Sequence, residues 1–292
     1  IIGTVLLMLP VSSRTGQWTP FIKALFTSVS STCVTGLVVV DTFSYWTLFG
    51  QIVILIMIQI GGLGFISIGV VFALFFNRNI GLANRTLIQE SMNSNMLRGI
   101  VRLMRNVIVG TAIFEAIGAA VLSLRFIPRM GVARGIYNSI FHSITAFCNA
   151  GFDLLGTSSQ PFVSLSRYIA NPLINLVIML LIIIGGIGFL TWDDIYTHKW
   201  HIRRYRVQSK VILWTSALLI IIPAVFFFVV DFTGSSTGTR LLASTFQSVT
   251  TRTAGFNTLD IGSLTEGGKL LTIILMFIGG GSGSTAGGVK MA

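Results

Sequence analysis

Phe246–Asp260 reads FQSVTTRTAGFNTLD: a short, hydroxyl-rich helix pattern that runs into an isolated glycine, Gly255, and ends in a carboxylate. The same plan occurs twice earlier, in Phe26–Asp41 (FTSVSSTCVTGLVVVD) and Phe141–Asp153 (FHSITAFCNAGFD). Each copy is followed by a long apolar run ending in a glycine cluster: Gly61-Gly62-Leu63-Gly64-Phe65, Gly185-Gly186-Ile187-Gly188-Phe189 and Gly279-Gly280-Gly281-Ser282-Gly283. Internal repetition fixes architecture before any single residue is weighed. The repeated unit is apolar helix, short helix, glycine turn, apolar helix. It predicts an all-α membrane protein built of helix–pore-helix–filter-loop–helix units around a central ion pore.

Composition agrees. Of 292 residues, 53% are hydrophobic and only 10% charged, with a mean hydropathy of +0.84, the balance of an integral membrane protein. The net charge of +11 does not form one basic stripe. It sits in clusters between apolar segments, where loop orientation accounts for it and nucleic-acid binding does not. Cys33 and Cys148 each lie three residues before a repeat glycine, equivalent places that suit small buried side chains better than a disulfide.

A membrane span takes about 20 helical residues. Ile1–Leu9 reads as the end of a truncated first outer helix, and Phe21–Thr32 as a helix too short to cross. The expected organisation is repeat one over 1–76, a cytoplasmic connection over 77–105, and repeat two over 106–192. A second cytoplasmic connection over 193–208 and repeat three over 209–292 follow. Within these, Ala133–Phe147 and Thr239–Thr251 are the other short helices. Asn106–Leu124, Ala170–Trp192 and Val211–Phe232 are spans, and Arg125–Arg134 a loop. The long connections carry Arg78, Arg85, Arg98, Arg102 and Arg105, then Lys199, Arg203, Arg204, Arg206 and Lys210. That places them in the cytosol and opens the glycine turns outward. A fourth repeat is absent up to Ala292, so the sequence is expected to be part of a longer chain.

Short helices that enter and return need a shared watery path, because irregular backbone at membrane depth survives only in protein or beside water. Their C-terminal ends favour a cation. Glycine in the next turn lets carbonyl oxygens replace an ion's water shell. The filter residues read this way are Val34, Thr35 and Gly36; Asn149, Ala150 and Gly151; and Thr253, Ala254 and Gly255. Asp41, Asp153 and Asp260 follow the glycines, either as a cation-attracting pore mouth or as loop acids capping nearby amides. Arg252 is awkward beside a cation filter and is expected to point behind it.

The segment Gly279, Gly280, Gly281, Ser282, Gly283, Ser284, Thr285, Ala286, Gly287 and Gly288, with Lys290 at its end, holds too many helix breakers for a continuous helix. It reads as an unwound gate loop, or else as a close-packing face. The two shorter clusters fit intact helices. Glu115, inside a span, reads as one member of a structural pair or as part of the ion path. His142 reads as a packed histidine, and His198 and His201 as loop residues. No metal-ligand set is present.

TCVTG, FCNAGF and TRTAGFNT, with GGLGF, GGIGF and GGGSGSTAGG, resemble the Ktr/Trk/HKT superfamily of potassium transporters, most closely its KtrB-type membrane subunits. The resemblance covers essentially the whole chain. It implies four repeats around one pore, one filter glycine per repeat, and an intramembrane loop as the gate. It also implies potassium rather than sodium preference when the filter position of every repeat is glycine, as at Gly36, Gly151 and Gly255, with potassium at the filter as the only metal and no covalently bound cofactor. A homodimer in the cell membrane on a cytosolic nucleotide-binding regulatory ring is the implied assembly.

Two rivals remain. Broken helices also mark secondary transporters, whose repeats are commonly inverted. Gly280-Gly281-Ser282-Gly283 matches the GxSG of rhomboid-like intramembrane serine proteases, but these need a histidine after the serine, and all three histidines precede Ser282.

Overall fold

The computed structural model describes residues 1–64, 100–157, 159–234 and 236–291. The far part of the span expected over Tyr45–Phe76 and residues 77–99 of the first connection lie outside them. In chain order the helices are α1 (Ile2–Met8), α2 (Phe21–Thr32), α3 (Thr42–Tyr45), α4 (Leu48–Leu63), α5 (Ile100–Met130), α6 (Val132–Phe147), α7 (Pro172–Gly186), α8 (Phe189–His198), α9 (Val207–Val230), α10 (Thr237–Thr250) and α11 (Glu266–Phe277). Two short strands, β1 (Ile278–Gly281) and β2 (Val289–Met291), pair in parallel at the end.

Among the described residues, Met104–Met130 of α5 and all of α9 are long and apolar enough to cross a membrane. The α7–α8 pair would make a third span but is bent by 96°.

Three like groupings recur along the chain. The short helices α2, α6 and α10 pack against α1, α5 and α9 respectively, and α2 and α6 also pack against the helices that follow them, α4 and α7. The groupings join through α4 against α6 and α7 against α10. Hydroxyls of the short helices are satisfied within their own helix, because they bond back to the preceding turn. Ser31 Oγ donates to Thr27 O (2.7 Å), Ser139 Oγ to Gly135 O (2.7 Å) and Ser244 Oγ to Arg240 O (2.6 Å). Each later helix of a grouping starts on a capping side chain. Thr47 accepts from Gly50 N–H, Asn171 from Ile174 N–H and Thr265 from Gly268 N–H.

Pro223, inside α9, cannot donate to the carbonyl of Leu219. Ser248 of α10 repairs the gap, its hydroxyl lying 2.7 Å from Ile220 O and 3.2 Å from Leu219 O. The connection after α8 folds around buried Asp194, which accepts from Ser209 Oγ (2.6 Å) and Arg206 N–H (3.0 Å).

Three expectations are corrected. Ala170–Trp192 is not one helix: α7 ends at Gly186, and Gly188, at φ +90°, starts α8 in a new direction. The loop expected over Arg125–Arg134 is helical to Met130, and only Gly131, at φ +83°, separates α5 from α6. The shorter clusters, expected in intact helices, carry a helix end at Gly64 and a break at Gly188, whereas the third is non-helical, with Gly279–Gly281 in β1 and 282–288 linking β1 to β2. In the first grouping Gly64 has φ +81° and ends α4, as Gly188 separates α7 from α8. The shared cause is a glycine in a backbone region that resists a Cβ.

Candidate functional site

The turn after each short helix is built by the helix's own last carbonyls. Val34 N–H donates to Ser31 O (3.3 Å) and Thr35 N–H to Ser30 O (2.9 Å). Asn149 N–H donates to Ala146 O (3.1 Å) and Ala150 N–H to Thr145 O (2.8 Å). This pair of bonds is the Schellman ending, which wants a left-handed residue at its first position. Val34 and Asn149 supply it, at φ +54° and +56°. The third turn is one residue wider: Ala254 N–H and Gly255 N–H both reach Thr250 O, at 3.0 and 3.3 Å, and Thr253 has φ +70°. With these amides turned back to the helix, the turn carbonyls are free to point away from it.

Gly36, Gly151 and Gly255 follow at φ +79°, +67° and +86°. They are also neighbours of one another. A Cβ on Gly36 would lie 2.6 Å from Ala150 O and 3.6 Å from Ala254 O; one on Gly151 would lie 2.3 Å from Ala254 O. A Cβ on Gly255 would meet Gly151 Cα at 3.6 Å and Gly36 Cα at 3.8 Å. Three turns far apart in sequence thus meet backbone to backbone. The chain leaving two of them is pinned by hydroxyls, Ser30 Oγ to Leu37 O and Thr250 Oγ1 to Phe256 O, both at 2.7 Å. Nothing in the sequence marks those two hydroxyls out from their neighbours.

The three aspartates all accept backbone amides. Asp41 caps α3 through Ser44 N–H (2.8 Å) and also takes Phe162 N–H (3.1 Å). Asp153 takes Leu155 N–H (3.0 Å) and Asp260 takes Gly262 N–H (2.9 Å). Asp41 is buried, Asp153 half-buried and Asp260 exposed. Burial pushes the Asp153 carboxyl up to about 6, the Asp41 charge adds to that rise, and the Leu155 amide opposes it.

Arg252 is buried and reaches α9, its guanidinium donating to Ser216 O (3.4 Å) and Ser216 Oγ (3.3 Å). Glu115 accepts from Gln59 Nε2 at 3.0 and 3.2 Å. His142 is packed against Phe126, Phe141 and Phe256 and bonds Asn138 O through Nδ1 (2.8 Å). No cluster of metal-ligating side chains occurs among the described residues.

The segment Gly279–Gly288 is wedged into the bend between α7 and α8. Phe189 N–H donates to Gly283 O (2.8 Å), Thr285 N–H to Gly185 O (3.2 Å), and Thr285 Oγ1 to Phe147 O (2.9 Å). Gly280 and Gly188 permit the fit, since their Cβ atoms would lie 2.7 Å from Gly186 O and 2.6 Å from Ser282 O. Lys290 Nζ closes the loop onto Ala286 O. A small cleft lies between this segment and the second and third turns, lined among others by Asn149, Gly186, Val249, Arg252, Gly280 and Ala286.

A helical, apolar chain whose glycine turns meet around a common point belongs to the class of membrane transport proteins. The chain is a member of the TrkH cation transport protein family, whose model matches residues 2–292; this is a family of transporters, not of enzymes. It is 41% identical over 295 residues to the potassium/sodium uptake protein NtpJ of Enterococcus hirae, and 42% identical over 299 residues to the Ktr system potassium uptake protein B of Bacillus subtilis. The alignments cover 99% and 100% of this chain, which spans 64% and 65% of those proteins. Among solved structures, the potassium transporter TrkH from Vibrio parahaemolyticus matches with a TM-score of 0.71 at 18% identity, over 94% of this chain and 53% of that one, a likeness of fold.

Proposed function

We propose that this chain provides most of a channel-like pore that takes up potassium across the cell membrane. In this reading α2, α6 and α10 are pore helices. The backbone of Val34–Gly36, Asn149–Gly151 and Thr253–Gly255 is the selectivity filter, and Asp41, Asp153 and Asp260 ring its mouth. The convergence of the three left-handed glycines carries the reading, because close-set carbonyls can replace a potassium ion's water shell. Segment 279–288 with Lys290 is the gate. The uptake named for the two relatives supports potassium as the substrate, with sodium as the second candidate ion. The functional unit is a homodimer bound to a cytosolic nucleotide-binding ring.

The bend at α7–α8 also suits a secondary transporter with broken helices. Flux of the full-length protein in proteoliposomes separates the two. A pore gives potassium flux that follows the electrochemical driving force, and Gly36→Ser lowers the potassium-over-sodium preference, since its side chain would meet Ala150 O. Saturable counter-exchange would favour the transporter, and an unchanged preference would remove Gly36 from the filter.

A further inference from the structure

The four last carbonyls of α6 can be followed one by one. Ile144 O accepts from Cys148 N–H (2.9 Å), Thr145 O from Ala150 N–H and Ala146 O from Asn149 N–H. The fourth, Phe147 O, has no backbone donor in its own turn. It accepts instead from the hydroxyl of Thr285, far along the chain in the glycine segment. The matching carbonyl of α2, Thr32 O, packs on Gly61 as Phe147 O packs on Gly185, with hypothetical Cβ distances of 1.9 and 2.0 Å. Thr32 O accepts no hydrogen bond among the described residues.

These carbonyls form the negative end of a short helix, the end that stabilises a cation and its hydrating waters. A hydroxyl donating to such a carbonyl does what a water of a hydrated cation would do. Resting on the pore and gate reading above, we propose that Thr285 is a positioning residue that competes with the permeant ion. Its hydroxyl takes the Phe147 carbonyl when the loop is seated, so loop seating and an ion-loaded cavity exclude one another. Potassium would then help to open its own path.

The hydroxyl sits at a joint of three segments, 5% exposed. Its backbone amide bonds Gly185 O, so Thr285 is held in place by contacts that a side-chain change leaves intact.

The test uses the full-length protein in proteoliposomes, with potassium flux measured over a range of potassium concentrations at fixed voltage. Wild-type flux should rise more steeply than in proportion to potassium at low concentration. Thr285→Val keeps shape and loses the donor. It should raise low-potassium flux about fivefold, the factor expected from one ordinary hydrogen bond, and make the rise proportional. Thr285→Ser should restore the steep rise.

If Thr285→Val and wild type give the same concentration dependence, the competition is refuted. The same holds if Thr285→Val lowers flux at every concentration. Thr285→Ala serves should the valine variant fail to fold. Deleting Gly281–Thr285 separates this idea from the gate itself. Raised flux in the deletion with no effect of Thr285→Val sinks only the competition. A deletion that folds and leaves flux unchanged sinks the gate reading.

Discussion

Asp153 sits two residues past its turn's glycine, half-buried beside Asp41, with one amide donor to offset its charge. Its carboxyl is held up at about 6, so the folded protein takes up this proton more readily than the unfolded chain does. For this one group the sign is clear: stability is favoured at low pH and declines as pH rises through about 6. The charge that the proposed mouth would use runs the other way, being present above that value and lost below it. Potassium uptake at low external concentration should therefore fall as external pH drops from about 7 to about 5, and Asp153→Asn should flatten that dependence. An identical pH profile in the variant would show that Asp153 contributes nothing to ion entry. Asp41 is a poorer choice for the same experiment, since Ser44 N–H and Phe162 N–H both depend on it.

Among the elements, α9 and α10 are joined by a repair. Pro223 leaves the Leu219 carbonyl without its helical donor, and Ser248 of α10 reaches across to that place. Ser248→Ala should cost about 1–2 kcal/mol of stability in detergent, the price of leaving buried acceptors unsatisfied. In a Pro223→Ala background the cost should largely vanish, because an alanine N–H can return the missing helical bond. Equal costs in both backgrounds would mean that the hydroxyl is packing, not repair.

The same scale shows what a reader of the sequence could see. The short helix expected over Phe21–Thr32 has those bounds in the structure, and the other two are off by one or two residues. They are legible because each is bounded by a proline, a glycine or a left-handed turn. The break at Gly186–Gly188 is not legible, since the apolar run reads straight through it. Gly188 permits the bend, and the loop that fills it comes from a distant part of the chain. The β1–β2 ribbon is hidden for a related reason: glycines announce that a helix stops, not what replaces it. Arg125 and Arg129 read as a loop in the sequence because they end an apolar run. In the structure α5 carries Arg129 past the apolar stretch and lays its guanidinium over the Tyr168 ring at 5.0 Å.

For the whole molecule, the expected sidedness rests on where its cations concentrate. At the turn side, Arg14 and Arg134 both lie over the Phe43 ring, at 4.7 and 4.5 Å. At the other, Arg206 pairs with Asp193 (3.0 Å) while Arg203 and Arg204 are exposed. If the basic connection faces the cytosol, a cysteine at Arg204 should resist an impermeant thiol reagent in intact cells. One at exposed Gln160 should react. The reverse pattern would invert the orientation. Three carboxylates after three glycines were legible at this scale, with a pore mouth and amide capping both open as readings. The local amide contacts are those the capping alternative expects; the Phe162 contact of Asp41 was not legible, because the repeats do not share that loop.

The glycine meeting point has a consequence for how such a protein is made. Gly36 finds its neighbours only when Ala150 and Ala254 are in place, and a ribosome produces those stretches much later. Until then the first turn stands in the bilayer with no companions and encloses nothing. In the pore reading proposed above, an unfinished or wrongly inserted copy therefore offers ions no continuous route, and a cell can build such a protein into an energised membrane without discharging it.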